Sequence, residues 1–347
     1  MSSALSTAEA DSDDPRALLQ RRAERSRADK SPCDLSGLSL RDGEFEGIDL
    51  SGVDLSGADF SGANLAGANL SGAILLGAKF NRAQLNAANL EQTECTAADF
   101  SEANLSEAEG RSAGFGRANL SRAILTASRF EHATFTESQL VGADLRGANL
   151  QHSRFRNADL TELDAANTDF RNADLQGAIL HRAHFIDTDL RDARLRGTKR
   201  FETATFLRAD IREVDFSGAY ILRRQIHDEN YLDEYKKQSR LHRVLYGLWW
   251  VTSDCGRSAA RWSAVVAAMT IIFGFVFTFL PIDYGDHETP LSPYYFSLVT
   301  VTTLGYGDVL PAALSSQIVV MAEIVCGYLM LGGLLAIFAD KMARRAD

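Results

Sequence analysis

Ser56-Gly57-Ala58-Asp59-Phe60-Ser61-Gly62-Ala63-Asn64-Leu65 is one five-residue pattern written twice. Working outward, Leu or Phe recurs at every fifth position, from Leu35, Leu40, Phe45, Leu50 and Leu55 onward to Leu195. Ala stands two residues before most of them, as at Ala68, Ala73 and Ala78, and Asp or Asn often falls between. A period of five is neither the 3.6 of a helix nor the 2.0 of a strand, so no ordinary amphipathic element produces it. Self-similarity at a fixed period marks a repeat architecture, in which stacked units share one continuous core. Large residues then fill the interior, small ones sit where backbones crowd, and the remaining positions face water.

The pattern of Ala, Asp or Asn, then Leu or Phe resembles the pentapeptide-repeat family. That resemblance implies an all-β fold, a right-handed quadrilateral β-helix over residues 31–221 with one pentapeptide on each side. About 38 repeats would make about nine and a half coils, a rod roughly 45 Å long at the inter-strand spacing of ~4.8 Å. Cys95, Gly110 and Ala165 interrupt the large-residue column, and at the last of these Leu163 takes the small position, which suggests an exchange of volume between neighbours. After Leu195 the frame slips by one residue through Gly197, Thr198, Lys199 and Arg200, then resumes at Phe201, Phe206, Ile211, Phe216 and Ile221. One added residue at a corner predicts a bulge of structural rather than functional meaning. Residues 1–30 are polar and charged with few apolar groups, which predicts a disordered N-terminal segment, and they contain no apolar stretch of the kind a signal peptide carries.

The C-terminal part is of another kind. Trp262–Leu280 carries no charge and is closed by Pro281, and Leu314–Ala339 is a second apolar run containing Glu323. A hydrocarbon core of ~30 Å needs about 20 helical residues, so 262–280 and 314–339 are each long enough to span it. Between them stand Asp283, Asp286, Glu288 and Asp308 with no Lys or Arg, whereas Arg257, Arg261, Lys341, Arg344 and Arg345 lie outside. The positive-inside rule then places both termini in the cytoplasm. Ser292-Pro293 opens a short helix of the connecting loop over 293–302, with Ser as N-cap and Pro at the first helical position.

Thr302-Thr303-Leu304-Gly305-Tyr306-Gly307-Asp308 follows that helix. With two spans around it, the segment resembles the selectivity filter of tetrameric potassium channels, in a two-transmembrane pore domain over 259–347. Leu304 departs from the valine usual in that family. The resemblance implies that backbone carbonyls of filter residues 303–307 (Thr303, Leu304, Gly305, Tyr306, Gly307) replace the water shell of K⁺. Gly305 and Gly307 can take the positive-φ conformations such a strand needs. Thr302, Asp308 and Glu323 are expected to support the filter. Asp308 either attracts cations or bonds to the pore helix, and capping the turn is compatible with both. Glu323 either bonds behind the filter, as the resemblance to bacterial inward-rectifier-like channels implies, or faces the ion path; an intramembrane carboxylate is a functional hypothesis by default. In the resembling channels a glycine at the position of Gly327 is the gating hinge, with Gly332 and Gly333 a second soft point here; packing through small residues is the competing role.

Residues 222–258 connect the two parts. Leu222–Gly247 is charged and helix-prone, suited to covering the open end of the solenoid. Trp249 and Trp250, close to Arg240 and Arg243, have the composition of an interfacial anchor and match in position the slide helix of some two-span channels.

The 347 residues suit two domains, and the net charge of −10 averages a polar rod with an apolar pore. Cys33, Cys95, Cys255 and Cys326 lack metal-ligand spacing, and the seven histidines form no paired ligand motif. With no phosphate-binding loop and no nucleophile paired to a base, catalysis is not expected, and no cofactor beyond K⁺ as the permeant ion. The expected assembly is a bacterial homotetramer in the plasma or inner membrane, contacting lipids. A cytoplasmic ligand or protein on the solenoid is a further expected partner, and nucleic acid is not. The alternatives are a non-conducting or non-selective membrane-anchored scaffold, and a DNA mimic that binds topoisomerases. The mimic requires a largely acidic outer face, whereas Arg117, Arg122, Arg129, Arg146, Arg154, Arg156 and Arg171 lie in the rod.

Overall fold

The structure, a computed structural model, describes residues 15–29, 35–256, 258–285, 288–302 and 304–346. It divides into two compact units, Met1–Tyr231 and Leu232–Asp347.

The first unit is the right-handed quadrilateral β-helix that the five-residue period predicts. Each outward residue before a core position forms a parallel bridge twenty residues on, as in Asp59 with Lys79, Lys79 with Asp99 and Asp99 with Asn119. Three amides on each side bond to neighbouring coils: Asn64 N–H donates to Gly43 O at 2.9 Å, Leu65 N–H to Gln84 O at 2.7 Å and Gly67 N–H to Asn86 O at 2.9 Å. A tight turn makes each corner, closed by bonds such as Ala68 N–H to Leu65 O at 3.0 Å. Its third residue is left-handed, as at Gly67 with φ 64°. Many corners hold this conformation without glycine, Ala87 (φ 56°) and Glu102 (φ 59°) among them. The side chain costs roughly 1–2 kcal/mol there, which the three inter-coil bonds per side offset; one of them is donated by the left-handed residue itself, as Ala87 N–H to Ser106 O at 2.9 Å.

The interior is built in columns. Phe60, Phe80 and Phe100 stack face to face at 5.2 and 4.8 Å, and Phe115, Phe135 and Phe155 at 5.1 and 4.7 Å. These spacings match the ~4.8 Å between strands, so the ladder itself sets the ring separation. Several hydroxyls at the small inner position are satisfied within their own turn, Thr93 Oγ1 donating to Leu90 O at 2.8 Å and Ser128 Oγ to Leu125 O at 2.7 Å. Thr168 and Thr188 instead donate to the preceding coil, and Thr198 Oγ1 has no partner among the described residues. Burial pushes the Cys95 thiol up to about 12, so this cysteine is an inert core residue.

Two of the three irregularities in the column have a compensating partner. Leu163 and Ala165 are both fully buried, which is the predicted volume exchange. A Cβ on Gly110 would run into the ring of Phe130 one coil later, so that ring occupies the missing volume. Phe130→Ala is therefore expected to destabilise the rod by about 3–5 kcal/mol, near the top of that range because glycine leaves nothing to collapse inward. Thermal unfolding of the full chain would measure it; a loss below about 1 kcal/mol would contradict this packing.

The frame slip is also a corner. Lys199 still bridges Ile179, Arg200 turns left-handed at φ 55°, and Phe201–Thr203 form a single 3₁₀ turn. Pairing then resumes with His184 opposite Thr205, and Phe206 stacks on Phe185 at 4.9 Å. Thr203 Oγ1 accepts the Arg182 N–H at 3.0 Å, taking the place of a ladder carbonyl, and lies 2.9 Å from His181 Nδ1.

Both ends are covered. Helix α1 (Pro15–Asp29) corrects the expectation of disorder for that part of residues 1–30, and residues 1–14 and 30 lie outside the described residues. Leu19 and Ala23, four residues apart on one face, join the rod's core cluster, which gives the segment the apolar contact its composition concealed. At the other end, α2 (Tyr220–Gln238) buries Leu222 and Ile226. Glu229 Oε2 accepts the Phe206 N–H at 2.8 Å and Asn230 Oδ1 the Arg208 N–H at 2.6 Å. Side chains thus satisfy amides for which no further coil exists.

Outside, charges pair along the stack. Arg171 reaches Asp169 at 2.7 Å and Asp189 at 3.6 Å; Arg191 reaches Asp189 at 2.6 Å and Asp210 at 3.6 Å. The bond from Arg191 holds the Asp189 carboxyl below its ordinary 3.8, and Arg212 does the same for Asp210. A carboxyl depressed in the folded state stabilises above its unfolded pKa, and that contribution is lost as protons bind. The rod is accordingly expected to lose stability as pH falls below 3.8. The loss should be modest, because these pairs are solvent-screened; melting temperature against pH would measure it, and a rise on acidification would refute it.

The second unit holds the remaining helices. The expected single helix over 222–247 is broken at Ser239, whose hydroxyl accepts the His242 N–H at 3.2 Å and starts α3 (Arg240–Ser253). Then come α4 (Ala259–Phe277), strand β1 (Ile282–Asp283), α5 (Ser292–Val301), strand β2 (Leu310–Pro311) and α6 (Leu314–Ala346). The β1 and β2 strands pair antiparallel, Ile282 opposite Pro311. Helix α4 and residues Leu314–Ala339 of α6 are long and apolar enough to cross a membrane, and only 11% of each is buried within the chain.

Candidate functional site: the pore loop

The pore helix sits one residue earlier than expected. Leu291 occupies the cap without a side-chain bond, and Ser292 lies within the helix, its hydroxyl accepting the Thr289 N–H at 2.9 Å. The hydroxyl therefore braces the preceding loop instead of capping the helix. Ser297, Val299, Thr300 and Val301 are buried. At the helix end, Thr302 Oγ1 donates to Leu298 O at 2.7 Å.

Thr303, expected to open the filter, lies outside the described residues. The rest of the segment is tied at its start by Leu304 N–H to Val299 O at 3.0 Å. Gly305 and Gly307 both lie in the left-handed region, at φ 48° and 76°. Leu304 and Tyr306 between them are 60% and 65% exposed in the single chain. Behind them is a cavity of about 290 Å³ whose wall includes Phe296, Val299, Tyr306, Val309 and Tyr328. At the outer end, Tyr295 Oη donates to Asp308 Oδ2 at 3.3 Å. Asp308 thus bonds to the pore helix, one of the two roles left open by its position.

Glu323 is fully buried and faces the pore helix, hydrogen-bonded to Ser297. Ser297 Oγ also donates to Thr270 O of α4, at 2.9 Å. One hydroxyl has one proton to give, so both contacts are satisfied together only when the Glu323 carboxyl brings a proton of its own. Its second oxygen, Oε2, has no partner among the described residues. The three helices α4, α5 and α6 therefore meet at a polar knot around Ser297.

Gly327 has a packing role. A Cβ there would lie 2.7 Å from Val301 O and 3.2 Å from Val301 Cα, so α6 approaches the end of the pore helix backbone to backbone. Gly333 lies under the indole of Trp262, whose Nε1 donates to Met330 O at 2.8 Å, and Gly332 has open space where a side chain would be. In α3, Trp249 and Trp250 are 39% and 50% exposed, beside exposed Leu241, Val244, Leu245 and Leu248. Trp249 covers the turn at Gly256.

Ser297, Tyr295 and Trp262 were not anticipated. Ser297 is a polar residue in an apolar helix and Trp262 an aromatic at the start of a span; either could have been flagged as needing a partner. Nothing in the spacing of Tyr295 points to Asp308.

Comparison with known proteins divides the chain in the same way. Eight overlapping copies of the pentapeptide-repeat model match between residues 33 and 199, and the ion-channel model matches residues 265–344. Two pore potassium channel b of rice (Oryza sativa subsp. japonica) is 28% identical over 95 residues, 26% of this chain and 27% of that protein. Two-pore potassium channel 4 of Arabidopsis thaliana is 29% identical over 86 residues, 22% of this chain and 30% of that protein. The chain thus spans less than a third of the length of the curated relatives it matches. Among solved structures, HetL, a pentapeptide-repeat protein involved in heterocyst differentiation regulation in the cyanobacterium Nostoc, is 27% identical, covering 56% of this chain and 95% of that one at a TM-score of 0.36.

Proposed function

We propose that this chain, a pentapeptide-repeat protein fused to a two-transmembrane ion-channel pore module, is one subunit of a potassium-selective homotetramer. The observation that carries the reading is the left-handed pair Gly305 and Gly307, held between a buried pore helix and a second span. Such a strand aims successive carbonyls at an axis, but one strand supplies only a quarter of each ring of oxygens. Three further copies complete the rings with carbonyls of Thr303, Leu304, Gly305 and Tyr306, and cover the exposed side chains of Leu304 and Tyr306. The permeant K⁺ is cargo, and neither matched family is an enzyme family. Basic residues outside the spans and their absence from 281–313 support cytoplasmic termini and a place in the cell membrane. The exposed apolar face of α3 with Trp249 and Trp250 suits the headgroup level. Gly327, Gly332 and Gly333 are the candidate bending points of α6.

The paired arginines speak against the DNA-mimic alternative, since carboxylates along the Asp169–Asp189–Asp210 column are neutralised in turn. The repeat unit is assigned a regulatory or docking role. The test is ion flux from liposomes holding the purified protein, with its mass measured in detergent. Potassium efflux blocked by barium, at four times the chain mass, is the expected result. Equal sodium and potassium permeability, or no flux, would overturn the reading. Open probability with and without residues 1–231 then separates regulation from docking.

A further inference from the structure

Many outward charges on the rod are closed into ladders, and in one stretch several of them meet at a groove. Along one side, the bridge column runs Gly114, Thr134, Arg154, Asp174, Arg194. Short side chains on the first two coils are followed by long ones on the next, so the face has a step. A groove of about 710 Å³ lies against that step, lined by His132, His152, Arg154, Arg156, Asp174 and Arg194 among others.

The charges around the groove do not cancel. Arg156 Nε and Arg194 Nη1 converge on the single carboxylate of Asp174, at 2.7 and 3.8 Å. Asp174 is 6% exposed, so it serves as a fixed counter-charge that holds both guanidinium groups at the groove wall. Arg154 is exposed and has no ion-pair partner among the described residues. With Asp192 also in the lining, three guanidinium groups face two carboxylates, on a chain whose net charge is −10. On the neighbouring corner the imidazoles of His132 and His152 lie parallel, 4.8 Å apart, with ring nitrogens able to donate to an oxyanion. Thr134 and Thr136 add hydroxyls to the lining.

We propose that this groove is a binding site for a small phosphate-bearing anion. Guanidinium groups match the paired oxygens of an oxyanion and are weakly hydrated, so an unpaired arginine beside a pre-positioned arginine pair favours an anion with several oxygens, as phosphate has, over a simple halide. The polar walls and the lack of an apolar floor exclude a hydrophobic ligand. The short side chains of Thr134 and Thr136 leave the room for the anion's body between the histidines and the arginines. The site lies wholly within the first unit and stands whether or not the pore conducts.

The test is calorimetric titration of the full-length protein in detergent with two probes: inorganic pyrophosphate, and short-chain phosphatidic acid presenting the same group as a lipid headgroup. Saturable binding of pyrophosphate to one site per chain is expected, weakened about tenfold or more in Arg154→Ala, as loss of one charge-assisted contact requires. Arg171→Ala, which removes an arginine from a closed ladder, should bind as the unaltered protein does. The melting temperature of both variants reports that the rod is intact. Binding of the lipid probe alone, with the same dependence on Arg154, would support the phosphate site and assign its source to a headgroup. Absence of binding by either probe, or binding unchanged in an intact Arg154→Ala protein, would overturn the proposal.

Discussion

Gly305→Ala is expected to abolish or relax the preference for potassium over sodium while leaving the protein in the membrane. At φ 48° a side chain costs roughly 1–2 kcal/mol in each subunit, and a tetramer would meet that cost four times in one ring of carbonyls. The backbone relieves the strain by rotating, and rotation turns the carbonyl away from the axis. The spans and the pore helix make no contact with the missing hydrogen, since nothing lies within 4 Å of the position a Cβ would take in the single chain. Expression and membrane insertion should therefore persist. Reversal potentials in mixed potassium and sodium solutions provide the measurement, and unchanged selectivity would show that 303–307 is not the filter.

The second large effect is expected at Gly327, where two roles predict different results. If its purpose is close packing, Gly327→Ala places a methyl group 2.7 Å from the Val301 carbonyl oxygen, which the pore helix cannot relieve without shifting. Overpacking of this kind costs typically 1–3 kcal/mol, and here it displaces the residue pair that leads into the filter. The variant should then melt at a lower temperature and lose both tetramer and flux. If its purpose is bending, the variant should remain as stable as the parent and differ only in open probability. The close approach favours the first outcome. A stable tetramer with altered gating would assign Gly327 to the hinge instead.

Much of the rod can be read from the spacing of Leu and Phe alone, because an interior that repeats every five residues leaves the chain one way to close. The corner at Arg200 follows from the same count, since a single extra residue has to be absorbed between Leu195 and Phe206. The pairing of Arg171 with Asp189 becomes visible only once the coil length is known, since eighteen residues separate them in sequence. Helix α1 was misread because composition averages over a segment, whereas two apolar residues on one face suffice to cover a rod end. In the loop before α6, residue types pointed to 303–307, but the contacts behind that segment depend on how three helices meet. The Ser297–Glu323–Thr270 knot and the Tyr295–Asp308 bond are products of that meeting and leave no periodic trace.

The twenty-residue bridge spacing makes the first unit a screw with a fixed thread. Removing one full set of twenty would shorten it by one ~4.8 Å step and leave every outward column facing as before. Removing five would instead turn everything on one side of the cut by a quarter revolution relative to everything on the other. Insertions in this chain therefore act on bearing as well as on length. A change of a few codons between Arg194 and the start of α2 would re-aim the groove relative to everything beyond the cut without altering a single residue that lines it.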